Sequence, residues 1–113
     1  MSQSGEHKPR PDCIERRIKL RLAWHRAIVG MLKKDPALWD VPIQNMDRWD
    51  KQNGYAGRQV WREILSTMSR EEIMRLLVSR SQRADQLRGS SPFVGILGEK
   101  TVERINEKYR ATY

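Results

Sequence analysis

Apolar residues between positions 13 and 34 recur at every third or fourth position along two lines, and this spacing constrains the fold most. One line runs through Ile18, Leu22, His25, Val29 and Leu32, and the second runs through Leu20, Trp24, Ile28 and Met31. Spacing of this kind is typical of an α-helix, and two apolar stripes on one helix indicate neighbours on both sides. The segment therefore predicts a long, central first helix over residues 13–34.

Shorter helical segments fill the rest of the chain. Asp35-Pro36 starts a turn over 36–40, and Ser69 with Glu72 forms a capping box at the start of a helix. Further helices are predicted over 42–52, 58–67, 69–79, 81–88 and 99–110. The expected inward residues of the middle helices are Ile43, Met46, Trp49, Val60, Trp61, Ile64, Leu65, Ile73, Leu76 and Leu77. Because no stretch alternates like a strand, we expect an all-α fold, a compact bundle of five or six short helices around the long first helix.

The length of 113 residues suits one domain with one modest core. We expect residues 1–11, which are polar and contain two prolines, to form a disordered basic tail, and residues 12–113 to form a single helical domain. The single Cys13 excludes an internal disulfide. No segment resembles a signal peptide or a membrane span, so the sequence predicts a soluble cytoplasmic protein.

The net charge of +8 is distributed unevenly. Residues 1–34 hold nine Lys or Arg against three acids, and the remainder holds thirteen against eleven. An excess of this kind indicates an acidic partner, such as DNA, RNA or an acidic protein surface, although it also serves solubility. The candidate residues for such a partner are Arg16, Lys19, Arg26, Lys33 and Lys34. Arg17 and Arg21 fall between the apolar stripes, where acids of neighbouring helices would pair with them.

Catalytic and metal-binding patterns are absent from the sequence. The two histidines, His7 and His25, are far apart, and no Cys, His and carboxylate cluster has ligand spacing. Cys13 has no placed base, and Asp12 and Glu15 beside it disfavour a thiolate. We therefore expect neither an enzyme nor a metal or cofactor site.

Helices 58–67 and 69–79 have the lengths of a helix-turn-helix, in which the second helix would read the DNA. Glu71 and Glu72 at the start of that second helix would repel DNA.

The segment "RGSSPFVGILG", residues 88–98, interrupts the helical pattern before the last helix with three glycines and one proline. Pro92 forces Ser91 out of helical geometry, and Gly95 marks a turn. The apolar residues Phe93, Ile96 and Leu97 fit a clasp that covers the helical core. The alternative is an exposed loop that docks a partner protein. The residues assigned to a protein interface or to the clasp are Arg88, Ser90, Ser91 and Phe93.

Two segments resemble a bacterial helical module. "LRLAWHRAIVGMLKKDP" (20–36) and "ADQLRGSSPFVGIL" (84–97) are similar to its "LxxHRx[IV]…LxxDP" helix and its "LRx[SN]SPF[AV]GxL" loop. The resemblance rests on Trp24-His25-Arg26, Asp35-Pro36, Leu87-Arg88 and Ser91-Pro92-Phe93, and it covers about 80 residues. That module accompanies helix-turn-helix domains in regulators and in loci resembling toxin–antitoxin operons. We expect no separate helix-turn-helix domain in the present chain, and its last helix differs from the module's short tail.

The resemblance implies a non-enzymatic module, bacterial or from a mobile element, that regulates or neutralises a protein partner in the manner of an antitoxin, with DNA or RNA as a second ligand. An alternative is a protein that binds DNA or RNA without sequence preference through its basic first helix. A weaker alternative is a small toxin or nuclease.

Overall fold

A computed structural model describes residues 11–52 and 57–112, and every regular element within them is a helix. The elements are α1 (Pro11–Lys34), a 3₁₀ turn (Pro36–Trp39), α2 (Asp40–Gln52), α3 (Gly57–Thr67), α4 (Arg70–Leu77), α5 (Gln82–Arg88) and α6 (Glu99–Thr112). The predicted all-α bundle with a long first helix is confirmed. Within the described ranges, no helix combines the length and apolar character that crossing a bilayer requires.

Two helix starts differ from the prediction, and proline explains both. Helix α1 begins at Pro11, inside the segment assigned to the tail, because a proline at the first helical position loses no intrahelical hydrogen bond. Helix α2 begins at Asp40, and Pro42 lies in its first turn, where backbone N–H groups have no intrahelical acceptor. The rest of the predicted tail, 1–10, and the predicted loop at Asn53-Gly54 lie outside the described residues.

Helix α1 is the centre of the bundle, as its two apolar stripes predict. It packs against α4, α5, α6 and the 3₁₀ turn. Its buried residues are Leu22, His25, Ile28, Val29 and Leu32, while Ile18, Leu20 and Trp24 are half-buried. The second stripe ends at Met31, which is exposed because the neighbouring helices do not cover that end of the stripe.

The inward face of α2 differs from the predicted one. Ile43, which the sequence places inward, is 49% exposed, and Val60 of α3 is also exposed. The inward residues of α2 are Pro42, Asn45 and Met46, with Trp49 half-buried. These four positions are spaced i, i+3, i+4 and i+7, as on one face of an α-helix. Compared with the predicted stripe, this face includes Pro42 and Asn45 in place of Ile43. Both stripes contain Met46 and Trp49, so the packing of α2 against its neighbours decides which one faces inward.

Helices α4 and α5 begin at side-chain caps. Ser69 accepts a hydrogen bond from the backbone N–H of Glu72, and Glu72 accepts one from the backbone N–H of Ser69, so the predicted capping box is confirmed. Ser81 caps α5 through the backbone N–H of Ala84. Because these bonds join residues three apart, the sequence specifies them locally.

Candidate functional site

The segment between α5 and α6, residues 89–98, is called here the clasp loop, and its aromatic residue lies in the core. Phe93 has no exposed surface, and its ring makes edge-to-face contacts with Trp39 and Trp61, each at 5.9 Å between ring centres. Ile96 is buried as well, and Leu97 packs against the same cluster. The loop therefore closes the core as a clasp does.

Asn45 of α2 holds the clasp loop through its side-chain amide. The Nδ2 group donates to the main-chain oxygens of Pro92 at 2.8 Å and Val94 at 2.9 Å. The Asn45 oxygen accepts a hydrogen bond from Arg48. Asn45 is not among the residues predicted to face inward, because the predicted stripe of α2 runs through Ile43, Met46 and Trp49.

The backbone conformation of the clasp loop also helps to turn the chain back over the core. Gly95 adopts φ +94°, in the left-handed region that glycine favours, which confirms the predicted turn there. Ser91 is buried, and its hydroxyl accepts a hydrogen bond from the backbone N–H of Phe93. Together these features turn the chain back over the core between Pro92 and Ile96.

Arg88 ties the start of the loop to the end of α4. Its side chain is buried and donates to the main-chain oxygens of Leu77 at 3.0 Å and Ser79 at 2.7 Å. Because Arg88, Ser91 and Phe93 are all buried, an exposed docking loop built on these residues does not describe the structure. Of the four residues assigned to this loop, only Ser90 is half-buried.

The predicted cations of α1 lie on one side of the helix. Lys19, Arg26, Lys33 and Lys34 are exposed and Arg16 is half-buried. At 100° per residue these five positions fall within an arc of roughly 100°, and they span about 27 Å along the axis. We call this surface the basic face. It lies away from the buried stripe of α1, and its N-terminal end also carries the exposed acid Glu15.

Arg21 does not belong to the basic face, and its side chain pairs with another helix. Its Nη2 group lies 3.3 Å from Oδ2 of Asp85 on α5, as predicted for a cation between the apolar stripes. Arg88 lies 3.9 Å from the other oxygen of the same carboxylate. Two guanidinium groups therefore share one acid, and the cluster keeps one excess positive charge.

A cleft of about 340 Å³ opens beside this cluster, between α1, the clasp loop and α6. Its apolar walls include Trp24, Ile28, Val94, Leu97 and Val102. Trp24 is half-buried, and its Nε1 group donates to Oδ1 of Asn106 on α6 at 3.2 Å. The indole is therefore tethered to α6, and part of it borders the cleft.

His25, on the floor of the cleft, is a neutral buried histidine. Burial lowers the pKa of His25 to about 4, although the hydrogen bond to Arg21 raises it in part. Nδ1 lies 2.7 Å from the main-chain oxygen of Arg21, and a carbonyl only accepts, so Nδ1 carries the proton. The other nitrogen, Nε2, is then an acceptor, and it is buried without a hydrogen-bond partner.

In the part of the chain that the structure describes, no three His, Cys, Asp or Glu side chains lie close enough together to share a metal ion. No protein-family model, no curated protein and no solved structure matches the chain.

Proposed function

We propose that this protein is a non-enzymatic binding module of the bacterial cytoplasm or of a mobile element, and that its basic face binds a polyanion. The observation that carries the proposal is the row of five cations along one side of α1. Arg88, Ser91 and Phe93 of the other candidate surface are buried, so the basic face is the stronger candidate.

Nucleic acid is the polyanion that this surface suits best. A row about 27 Å long passes several phosphates of a duplex, where consecutive charges lie about 1.7 Å apart along the axis. Stacking on bases by Trp39, Trp61 or Phe93 is excluded, because these rings are buried in the core. The proposed binding is therefore to the phosphate backbone and without sequence preference.

Regulation is the role that the resemblance of residues 20–36 and 84–97 supports. A module that accompanies helix-turn-helix regulators need not read bases itself, because it acts by protein contact or by adding non-specific affinity. The second candidate is accordingly neutralisation of an acidic partner protein in the manner of an antitoxin. The same excess of cations favours it.

Fluorescence anisotropy with a labelled 20-base-pair DNA duplex tests the first proposal. Five phosphate contacts predict that affinity falls about 500-fold between 50 and 200 mM salt. Replacing Arg16, Lys19 and Arg26 together with Gln is expected to reduce the salt slope by about 3.

The matched control replaces three cations outside α1, Lys51, Lys100 and Arg104, with Gln. All three are exposed, so this variant loses the same formal charge. If both triple variants weaken binding equally, net charge alone explains the affinity and the basic face has no special role. If the duplex does not bind at 50 mM salt, duplex DNA is excluded; the same assay with single-stranded DNA and RNA then decides whether acidic proteins become the partners to test.

A further inference from the structure

The cleft beside Arg21 has features of a ligand site that the basic face does not explain. It lies on the side of α1 that carries Trp24 and Ile28, away from the basic face, and its volume of about 340 Å³ is within the range of small-molecule sites. We propose that this cleft binds a small carboxylate with an aryl or branched aliphatic body, with the carboxylate against Arg21.

The walls define the body of the ligand. Trp24, Val94, Leu97 and Val102 provide an aromatic face and three aliphatic surfaces from three different segments of the chain. Val94 is 53% exposed although it is apolar, and a ligand in the cleft would cover part of it. An apolar body of aryl size therefore removes exposed hydrophobic surface from water.

The charges define the head group. Arg21 and Arg88 share the single carboxylate of Asp85, so the cluster beside the cleft carries one excess positive charge. The side chain of Arg21 is 28% exposed and lines the cleft. A guanidinium group binds an anion with two oxygens especially well, because two parallel N–H···O hydrogen bonds can form.

Three polar atoms behind the walls of the cleft lack hydrogen-bond partners. Nε of Arg21, Nε of Arg88 and Nε2 of His25 are buried and lack hydrogen-bond partners, and all three residues line the cleft. Buried polar groups without partners are rare and costly. Each atom exposes less than 1 Å², so a ligand head in the cleft contacts the terminal nitrogens of Arg21 rather than these three atoms.

A matched pair of compounds tests the inference, 3-phenylpropionate and the neutral 3-phenyl-1-propanol, in ¹H–¹⁵N NMR titrations of the full chain without nucleic acid. We expect 3-phenylpropionate to shift the indole N–H signal of Trp24 and the amide signals of Val94 and Leu97 saturably. The alcohol is expected to bind at least ten-fold more weakly, because it cannot pair with the excess positive charge. Failure of this test leaves the nucleic-acid proposal unaffected, since the two surfaces are separate.

Two variants and one control complete the experiment. Arg21→Gln is expected to remove the preference for the carboxylate, and Val102→Phe to weaken binding of both compounds at least ten-fold by filling the cleft. Lys100→Gln, which removes an exposed cation from the same helix as Val102, should leave both affinities unchanged. If Arg21→Gln does not fold, Val102→Phe still decides whether the cleft is occupied. Equal affinity for the two compounds, no saturable shift up to about 5 mM, or binding unaffected by Val102→Phe would overturn the inference.

Discussion

The side-chain amide of Asn45 donates a hydrogen bond to the main-chain oxygen of Pro92 at 2.8 Å, joining residues 47 positions apart. A second bond from the same nitrogen reaches the main-chain oxygen of Val94. These contacts give the clasp loop hydrogen-bond donors that its own sequence does not supply. Asn45 therefore connects the middle of α2 to the segment that closes the core.

Asn45→Ala is expected to lower the free energy of unfolding by about 2–4 kcal/mol, because it leaves two carbonyl groups without donors. Urea unfolding followed by circular dichroism measures the change. Gln44→Ala, at an exposed position of the same helix, is the control and should change stability by less than about 0.5 kcal/mol. Equal effects of the two substitutions would show that the Asn45 bonds do not hold the loop.

Phe93→Ala is expected to cost about 3–5 kcal/mol, because it opens a cavity between Trp39 and Trp61 and removes both edge-to-face contacts. Thermal unfolding should show a clearly lower melting temperature. Val94→Ala, its exposed neighbour, should be nearly neutral. An unchanged melting temperature for Phe93→Ala would mean that the ring is not part of the core in solution.

Arg88→Met preserves most of the side-chain volume but removes the donors to Leu77 and Ser79. We expect a loss of about 2–4 kcal/mol in urea unfolding, because buried carbonyl groups lose their partners. The control is Arg83→Met, which removes an exposed arginine from the same helix. A loss no greater than that of the control would contradict the bridging role of Arg88.

His25 makes stability depend on pH in a direction that follows from its environment. Its pKa is lowered to about 4 in the folded protein, chiefly by burial, against about 6.5 when unfolded, so the unfolded state binds the proton first as pH falls. The contribution is therefore complete above about pH 6.5 and declines as pH falls toward 4. Between pH 6.5 and 5 the loss should be about 1.6 kcal/mol.

Urea unfolding at several pH values between 7 and 5 measures this slope, and the same series on His25→Gln provides the comparison. The variant removes the titrating imidazole, so its stability should change less over that interval. Identical slopes for both proteins would show that other groups cause the pH dependence.

The positions of the helices could be predicted from the sequence wherever the interactions that start or stabilise a helix join residues close together in the chain. The capping box of Ser69 and Glu72 joins residues three apart, and the apolar stripes of α1 repeat every three or four residues. The same reasoning identified the clasp loop, because Pro92 and Gly95 break helical geometry through their own backbone preferences. The cations of the basic face could be named in advance for the same reason.

Tertiary structure decided which faces meet and which distant residues pair. The sequence predicted Ile43 inward, yet packing turned Asn45 toward the clasp loop and left Ile43 exposed. The partner of Arg21 is Asp85, 64 positions away, and no local pattern specifies that pairing. The cleft, too, exists only where α1, the clasp loop and α6 converge. A residue's own propensities and its near neighbours act along the chain, whereas these contacts depend on the relative rotation and position of packed helices.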